Sequence, residues 1–185
     1  MTNSIHTQAQ NKKALLVIDV QENLVNPGSK IHMDPTGRDS FFNSVNRSID
    51  TFQARGLPVI YIVNQWTNPV LNWFTGNVCK KGGKGTGIDK RVRLVNDKIY
   101  IKSKGNALTN KELLDYLKNN SITELYLAGL FAEECVKGTL KGGIRQDFKV
   151  TMVEDAIGAK SRKNKTKSIE YYKRKEANVI KSNQI

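Results

Sequence analysis

The sequence predicts an open α/β sheet, mainly parallel, with helices on both faces. Three observations carry this. Continuous apolar runs rich in β-branched residues, such as "KKALLVIDV" and "LPVIYIV", lack polar alternation and so suit strands covered on both sides. Stretches with apolar residues at helical spacing separate them, and the two kinds alternate along the chain. At 185 residues the chain can form one domain with its own core. We divide it into a loose polar leader, 1–11, and a single domain, 12–185.

"KKALLVIDV" is the first strand and stops at Asp19. A turn-rich loop with Pro27, Gly28, Pro35 and Gly37 follows. Phe41, Phe42, Val45, Ile49 and Phe52 then predict a helix from Arg38 to Arg55, ended by Gly56. "LPVIYIV" is the second strand, and a right-handed crossover is the default for a strand–helix–strand unit. From Asn64 to Asn96 there is little period, so a long irregular excursion is expected there. "DKIYIK" is a short third strand ending on Lys102. Thr109, with Glu112 three residues on, predicts a capped helix carrying Leu113, Leu114 and Leu117. "ELYLAGL" is the fourth strand. A helix from Glu134 to Arg145 follows, whose Gly138, Gly142 and Gly143 imply close packing against a neighbour. "FKVTMVEDA" is the fifth strand, and a basic helix from about Lys163 to Lys175 with a short "ANVIK" strand finishes the chain.

The net charge of +13 describes the surface and implies nonspecific attraction to polyanions. No aromatic-interleaved RNA motif or zinc-finger spacing accompanies it, so solvated faces are favoured over a nucleic-acid site. Two cysteines are too few for a disulfide scaffold, and no apolar run approaches the ~20 residues that span a bilayer. A soluble protein of a reducing, cytoplasmic compartment is expected, with no membrane partner.

In an open α/β sheet, ligands bind beyond the carboxyl ends of the strands. Asp19 ends the first strand, Lys102 ends the third, and Cys135 follows the fourth. Each alone has an ordinary structural explanation; their conjunction points to chemistry. A thiol becomes a strong nucleophile when ionised, and a carboxylate, a nearby ammonium and a helix N-terminus all favour that. The two histidines, His6 and His32, lie in the leader and a loop, poorly placed for a Cys–His pair, which leaves a carboxylate as the base.

Three motifs carry a family resemblance. "LLVIDVQ" with Asp19 and Gln21, "IYIKSKGNAL" with Lys102 and Asn106, and "AGLFAEECV" with Gly129 and Cys135 resemble, in order and spacing, the isochorismatase-like cysteine hydrolases over about Lys12 to Ile180. The resemblance implies a doubly wound six-stranded sheet of order 3-2-1-4-5-6 and an Asp–Lys–Cys triad. It also implies hydrolysis of a small amide or related compound through an acyl-cysteine, and a homo-oligomer, dimer or tetramer. Carried onto this chain, Asp19 is the general base, Lys102 stabilises the charged pair and Cys135 attacks. The Leu130–Phe131 bond holds the place of a cis peptide, and the N–H groups of Phe131 and Cys135 form the oxyanion hole.

The chain also departs from the family. Nicotinamidases bind a metal through an Asp and histidines after the second strand, where this chain reads "VNQWTNPVLNWF". Asn64, Gln65 and Asn68 are weak ligands, so no metal and no cofactor are expected. "GLFA" is closer to the true isochorismatases, which hydrolyse a vinyl ether, but the cysteine favours C–N chemistry. Gln21, Asn64, Trp66 and Phe131 are candidates for the wall of a small-molecule substrate pocket, and Cys79 is given no role. The alternatives are a vinyl-ether hydrolase, or a basic binding or assembly protein on the same fold.

Overall fold

In the computed structural model, which describes residues 12–175 and 177–185, the run Lys12–Ile18 forms β1, with Ala14 to Ile18 buried. Alternate residues face opposite cores: Ala14, Leu16 and Ile18 join one cluster, Leu15 and Val17 the other. A strand covered on both sides has no polar face, which is why its sequence shows no alternation. After β1 come α1 (Glu22–Val25), α2 (Arg38–Ala54), β2 (Val59–Asn64), α3 (Pro69–Thr75), β3 (Ile99–Lys102) and α4 (Lys111–Asn119). Then follow β4 (Ile122–Gly129), a π-helical turn (Ala132–Val136), α5 (Lys137–Arg145), β5 (Lys149–Ile157), α6 (Arg162–Arg174) and β6 (Asn178–Ile180).

The six strands pair in parallel in the order β3-β2-β1-β4-β5-β6. One face is covered by α2, through Phe41, Phe42, Val45, Ile49 and Phe52. The other is covered by α4, α5 and α6, through Leu113, Leu117, Leu140 and Tyr172. Register aligns the strand ends: Asn64 pairs with Lys102, and Ile18 pairs with both Ile62 and Gly129. The residues after these positions therefore share one rim.

Three local expectations are corrected. The excursion after β2 contains α3, capped by the Asn68 side chain accepting from Leu71 N–H at 3.0 Å. Its apolar residues Val70, Leu71, Trp73 and Phe74 point outward, so no core-facing period marked it. Asn110, not Thr109, caps α4: its side chain accepts from Leu113 N–H, while the Thr109 hydroxyl donates back to the Asn106 carbonyl. The helix expected from Glu134 begins two residues earlier as the π-turn, which leads directly into α5. The leader, 1–11, lies outside the described residues.

Candidate active site

Asp19 follows β1 in a left-handed conformation at φ 54°, sparsely populated for a residue with a side chain. Its carboxylate is buried, and Oδ2 accepts from Lys102 Nζ at 2.7 Å. The same ammonium lies 3.2 Å from Cys135 Sγ. Asp19, Lys102 and Cys135 thus meet through one nitrogen, although they are separated by 83 and 33 residues in sequence. Asp19 Oδ1 is buried and has no hydrogen-bond partner among the described residues.

Backbone approach sets these positions. Gly129 adopts φ +117°, and a Cβ there would lie 2.0 Å from the Ile18 carbonyl oxygen. The missing side chain lets Leu130 N–H donate to that same oxygen at 2.7 Å, bringing the exit of β4 against the exit of β1. A Cβ on Gly138 would lie 2.7 Å from the Gly105 carbonyl oxygen, so α5 presses on the loop after Lys102. The close packing expected of the α5 glycines is present here. The Leu130–Phe131 peptide is cis, and Phe131 N–H donates to no backbone carbonyl among the described residues.

Charge balance departs from the activated-thiolate expectation. Burial pushes the Cys135 thiol above its ordinary range and the Asp19 carboxylate adds to this, with Lys102 pulling the other way. Cys135 sits inside the π-turn that leads straight into α5. Burial likewise raises Asp19 despite Lys102, and a raised carboxylate is a better proton acceptor. For Lys102, burial favours the neutral amine, but Asp19 and Cys135 outweigh it and hold the ammonium. The resting site therefore pairs a neutral thiol with an ion pair.

A cavity of about 330 Å³ opens over Asp19 and Cys135 and includes Asn64, Trp66, Phe131, Cys79, Lys104 and Lys160 in its walls. Gln21 is not part of that wall. Its amide is consumed as a clamp, donating to the carbonyls of Asn64 and Thr86 and accepting from Asn64 N–H. Cys79, in a largely polar and basic loop, is nevertheless fully buried and reaches the cavity. Lys160, also missed, pairs with Glu134 and lies over the Phe131 ring, 5.4 Å from its centroid. Glu133 accepts from Lys160 N–H and from the Asn164 side chain, tying the π-turn to the loop before α6 and to the first turn of that helix.

The residues after β2 do not fit a metal. Asn68 Oδ1 is occupied as the α3 cap, and no group of three or more His, Cys, Asp or Glu suited to holding an ion occurs among the described residues. No described helix is long and apolar enough to cross a membrane.

Comparison with known proteins agrees with this architecture. The family model described as Isochorismatase domain matches residues 13–184. The ureidoacrylate amidohydrolase RutB of Azorhizobium caulinodans is 22% identical over 174 residues, covering 80% of this chain and 77% of that one. The N-carbamoylsarcosine amidase of an Arthrobacter species is 24% identical over 160 residues, covering 80% of this chain and 60% of that one. A crystal structure of an isochorismatase family protein from Desulfovibrio vulgaris superposes with a TM-score of 0.84 at 19% identity, covering 94% of this chain and 96% of that one. With a family match that runs from within β1 almost to the last residue, the chain belongs to the isochorismatase family of hydrolases.

Proposed function

We propose that this protein is a metal-independent cysteine amidohydrolase that cleaves a C–N bond of a small amide or carbamoyl compound. The observation that carries the reading is the single ammonium of Lys102 held between Asp19 Oδ2 and Cys135 Sγ, beside the cavity that Asp19 and Cys135 line. The amidohydrolase and amidase names of two relatives support C–N chemistry over vinyl-ether hydrolysis.

Asp19 takes the thiol proton as Sγ attacks the carbonyl carbon, so the thiolate exists only while it is being consumed. Lys102 stays protonated and offsets the charge exchanged between carboxylate and sulfur. The carbonyl oxygen becomes an oxyanion facing the N–H groups of Phe131 and Cys135. Asp19 then gives its proton to the leaving nitrogen, the C–N bond breaks, and an acyl-cysteine remains. Water attacks that thioester with Asp19 again accepting the proton, which releases acid and restores the thiol. Ammonia release from a panel of small primary amides and ureido compounds tests the proposal: turnover by the wild-type protein and none by Cys135→Ala is expected. Equal turnover by the two would sink it.

A further inference from the structure

We propose that α3 and the lysine-rich turn that follows it dock this protein onto a lipid bilayer bearing anionic headgroups. This goes beyond the amidohydrolase reading and does not depend on it. The sequence, which has no spanning run, predicts no membrane partner; a contact lying on the surface needs no such run, and the outward face of α3 shows only in the folded chain.

α3 is amphipathic in the inverse sense to an ordinary surface helix. Its inward side is polar: Asn72 is buried and donates to the Trp66 carbonyl at 3.2 Å, and Thr75 lines the cavity. Its outward side is apolar, with Trp73 73% exposed, Val70 61%, Phe74 60% and Leu71 39%. The Trp73 and Phe74 rings meet edge to face, centroids 4.9 Å apart, as one aromatic block. A surface helix ordinarily turns its apolar side to the core, so this contiguous outward patch marks a place of contact.

Charge identifies the partner. No Asp or Glu occurs from 64 to 88 or from 23 to 33, two segments that meet where a Cβ on Gly76 would lie 3.0 Å from Lys30. Lys80 and Lys81 follow α3 closely, their N–H groups donating to the carbonyls of Asn77 and Trp66. Lys104 lines the same cavity as Thr75. These lysines and Lys84 are exposed, and none has an ion-pair partner among the described residues. An apolar block beside unmatched ammonium groups suits a bilayer whose headgroups carry negative charge and whose acyl chains take Trp, Phe, Leu and Val. A second copy meeting this face about a two-fold axis would set the same lysines against one another. A single-stranded nucleic acid would engage the lysines and the rings but leave Val70 and Leu71 without partners.

The test is co-sedimentation of the full chain with vesicles at physiological ionic strength, using phosphatidylcholine alone and an equimolar mixture with phosphatidylserine. The mixed vesicles should bind at least about tenfold more tightly than the neutral ones. Trp73→Ala with Phe74→Ala, which leaves the charge unchanged, should weaken that binding about tenfold or more. Lys80→Gln with Lys81→Gln should weaken it about tenfold to thirtyfold. Lys12→Gln with Lys118→Gln removes the same charge at the opposite rim, where β1 begins and α4 ends, and should cost less than about threefold. Every substituted side chain is exposed, so the variants keep the fold. Acyl-chain-brominated lipids should quench tryptophan emission in the wild-type protein and not in Trp73→Phe, which keeps the apolar contact and the binding. Equal losses from the two lysine pairs, or binding indifferent to the aromatic pair, would mean adsorption by net charge alone and overturn the proposal. So would an absence of binding, or a lipid-free oligomer that Trp73→Ala with Phe74→Ala dissociates, since a second copy would then cover the face. Preferential binding of single-stranded RNA, lost with the same aromatic pair, would overturn it as well.

Discussion

Lys102 Nζ lies 2.7 Å from Asp19 Oδ2 with both side chains out of contact with water, and it joins the end of β3 to the end of β1 across the intervening β2. Such a pair is held by mutual dependence: each charge is costly in the interior, and each is tolerable because of the other.

Lys102→Met should therefore destabilise the protein, because it strands the Asp19 carboxylate. Loss of one partner of a buried pair costs about 3–5 kcal/mol, less whatever Asp19 recovers by taking up a proton. Urea unfolding should show the larger loss at pH 8 than at pH 5, since Asp19 without its ammonium is neutral more readily in acid. A pH-independent loss would mean that the ammonium is not what keeps Asp19 charged.

Gly129→Ala should cost about 2 kcal/mol or more, since the position combines φ +117° with a Cβ site 2.0 Å from the Ile18 carbonyl oxygen. The strain falls where β4 leaves the sheet beside Asp19. Any amidase activity should fall by more than the lost folded fraction explains, which comparing denaturation with activity per folded molecule would reveal. A neutral substitution would show that the two strand exits can separate freely.

The alkaline limb of stability should report Cys79. The unfolded chain gives up this proton near the ordinary 9.0, whereas burial holds it in the folded protein to about 12. The folded state then binds the extra proton between those values, so the stability it supplies is complete below pH 9 and is lost as pH rises to about 12. Under reducing conditions, Cys79→Ala should flatten the fall of unfolding free energy over this window by about 1.4 kcal/mol per pH unit. Parallel wild-type and variant curves would contradict it.

How much of this was legible in the sequence depended on whether backbone register or loop path set the position. Asp19, Lys102 and Cys135 each stand at or just past a strand end, and parallel register makes strand ends neighbours, so three short motifs sufficed to bring them together on paper. Cys79 and Lys160 reach the cavity through loops whose course depends on tertiary contacts such as the Trp66 N–H bond to the Cys79 carbonyl, and no local pattern marks them. Gln21 is ambiguous in the sequence for a related reason. A glutamine two residues past a strand end is placed as well for a ligand as for a clamp, and only the backbone groups of Asn64 and Thr86 that its amide pairs with decide in favour of the clamp. The thiol's state is not legible in the sequence, which supplies the neighbouring charges but not the depth of burial, and burial is the larger effect.

That reversal gives the sharpest prediction. If Asp19 activated the resting thiol, Asp19→Asn would slow alkylation of Cys135. The structure argues the opposite, because burial and the Asp19 carboxylate both raise the thiol, and Lys102 alone opposes them. Replacing the carboxylate by an amide of the same shape removes one of the two raising influences and frees the Lys102 ammonium to face the sulfur. Nearby charges move such equilibria by about 1–3 pKa units, so iodoacetamide labelling of Cys135 at pH 7 should speed up by about tenfold or more in Asp19→Asn. In the wild-type protein, labelling of Cys135 should climb steadily from pH 7 to 9 without a plateau, as for a thiol that is still protonated there. Cys79, deeper and also raised, should label more slowly than Cys135. Amide turnover should nevertheless vanish in Asp19→Asn, because a standing thiolate without a proton acceptor has nothing to hand to the leaving nitrogen. Brief labelling followed by peptide mapping reads both cysteines in one experiment. Slower labelling of Cys135 in the variant would restore the resting-thiolate view and refute the charge balance argued from the structure.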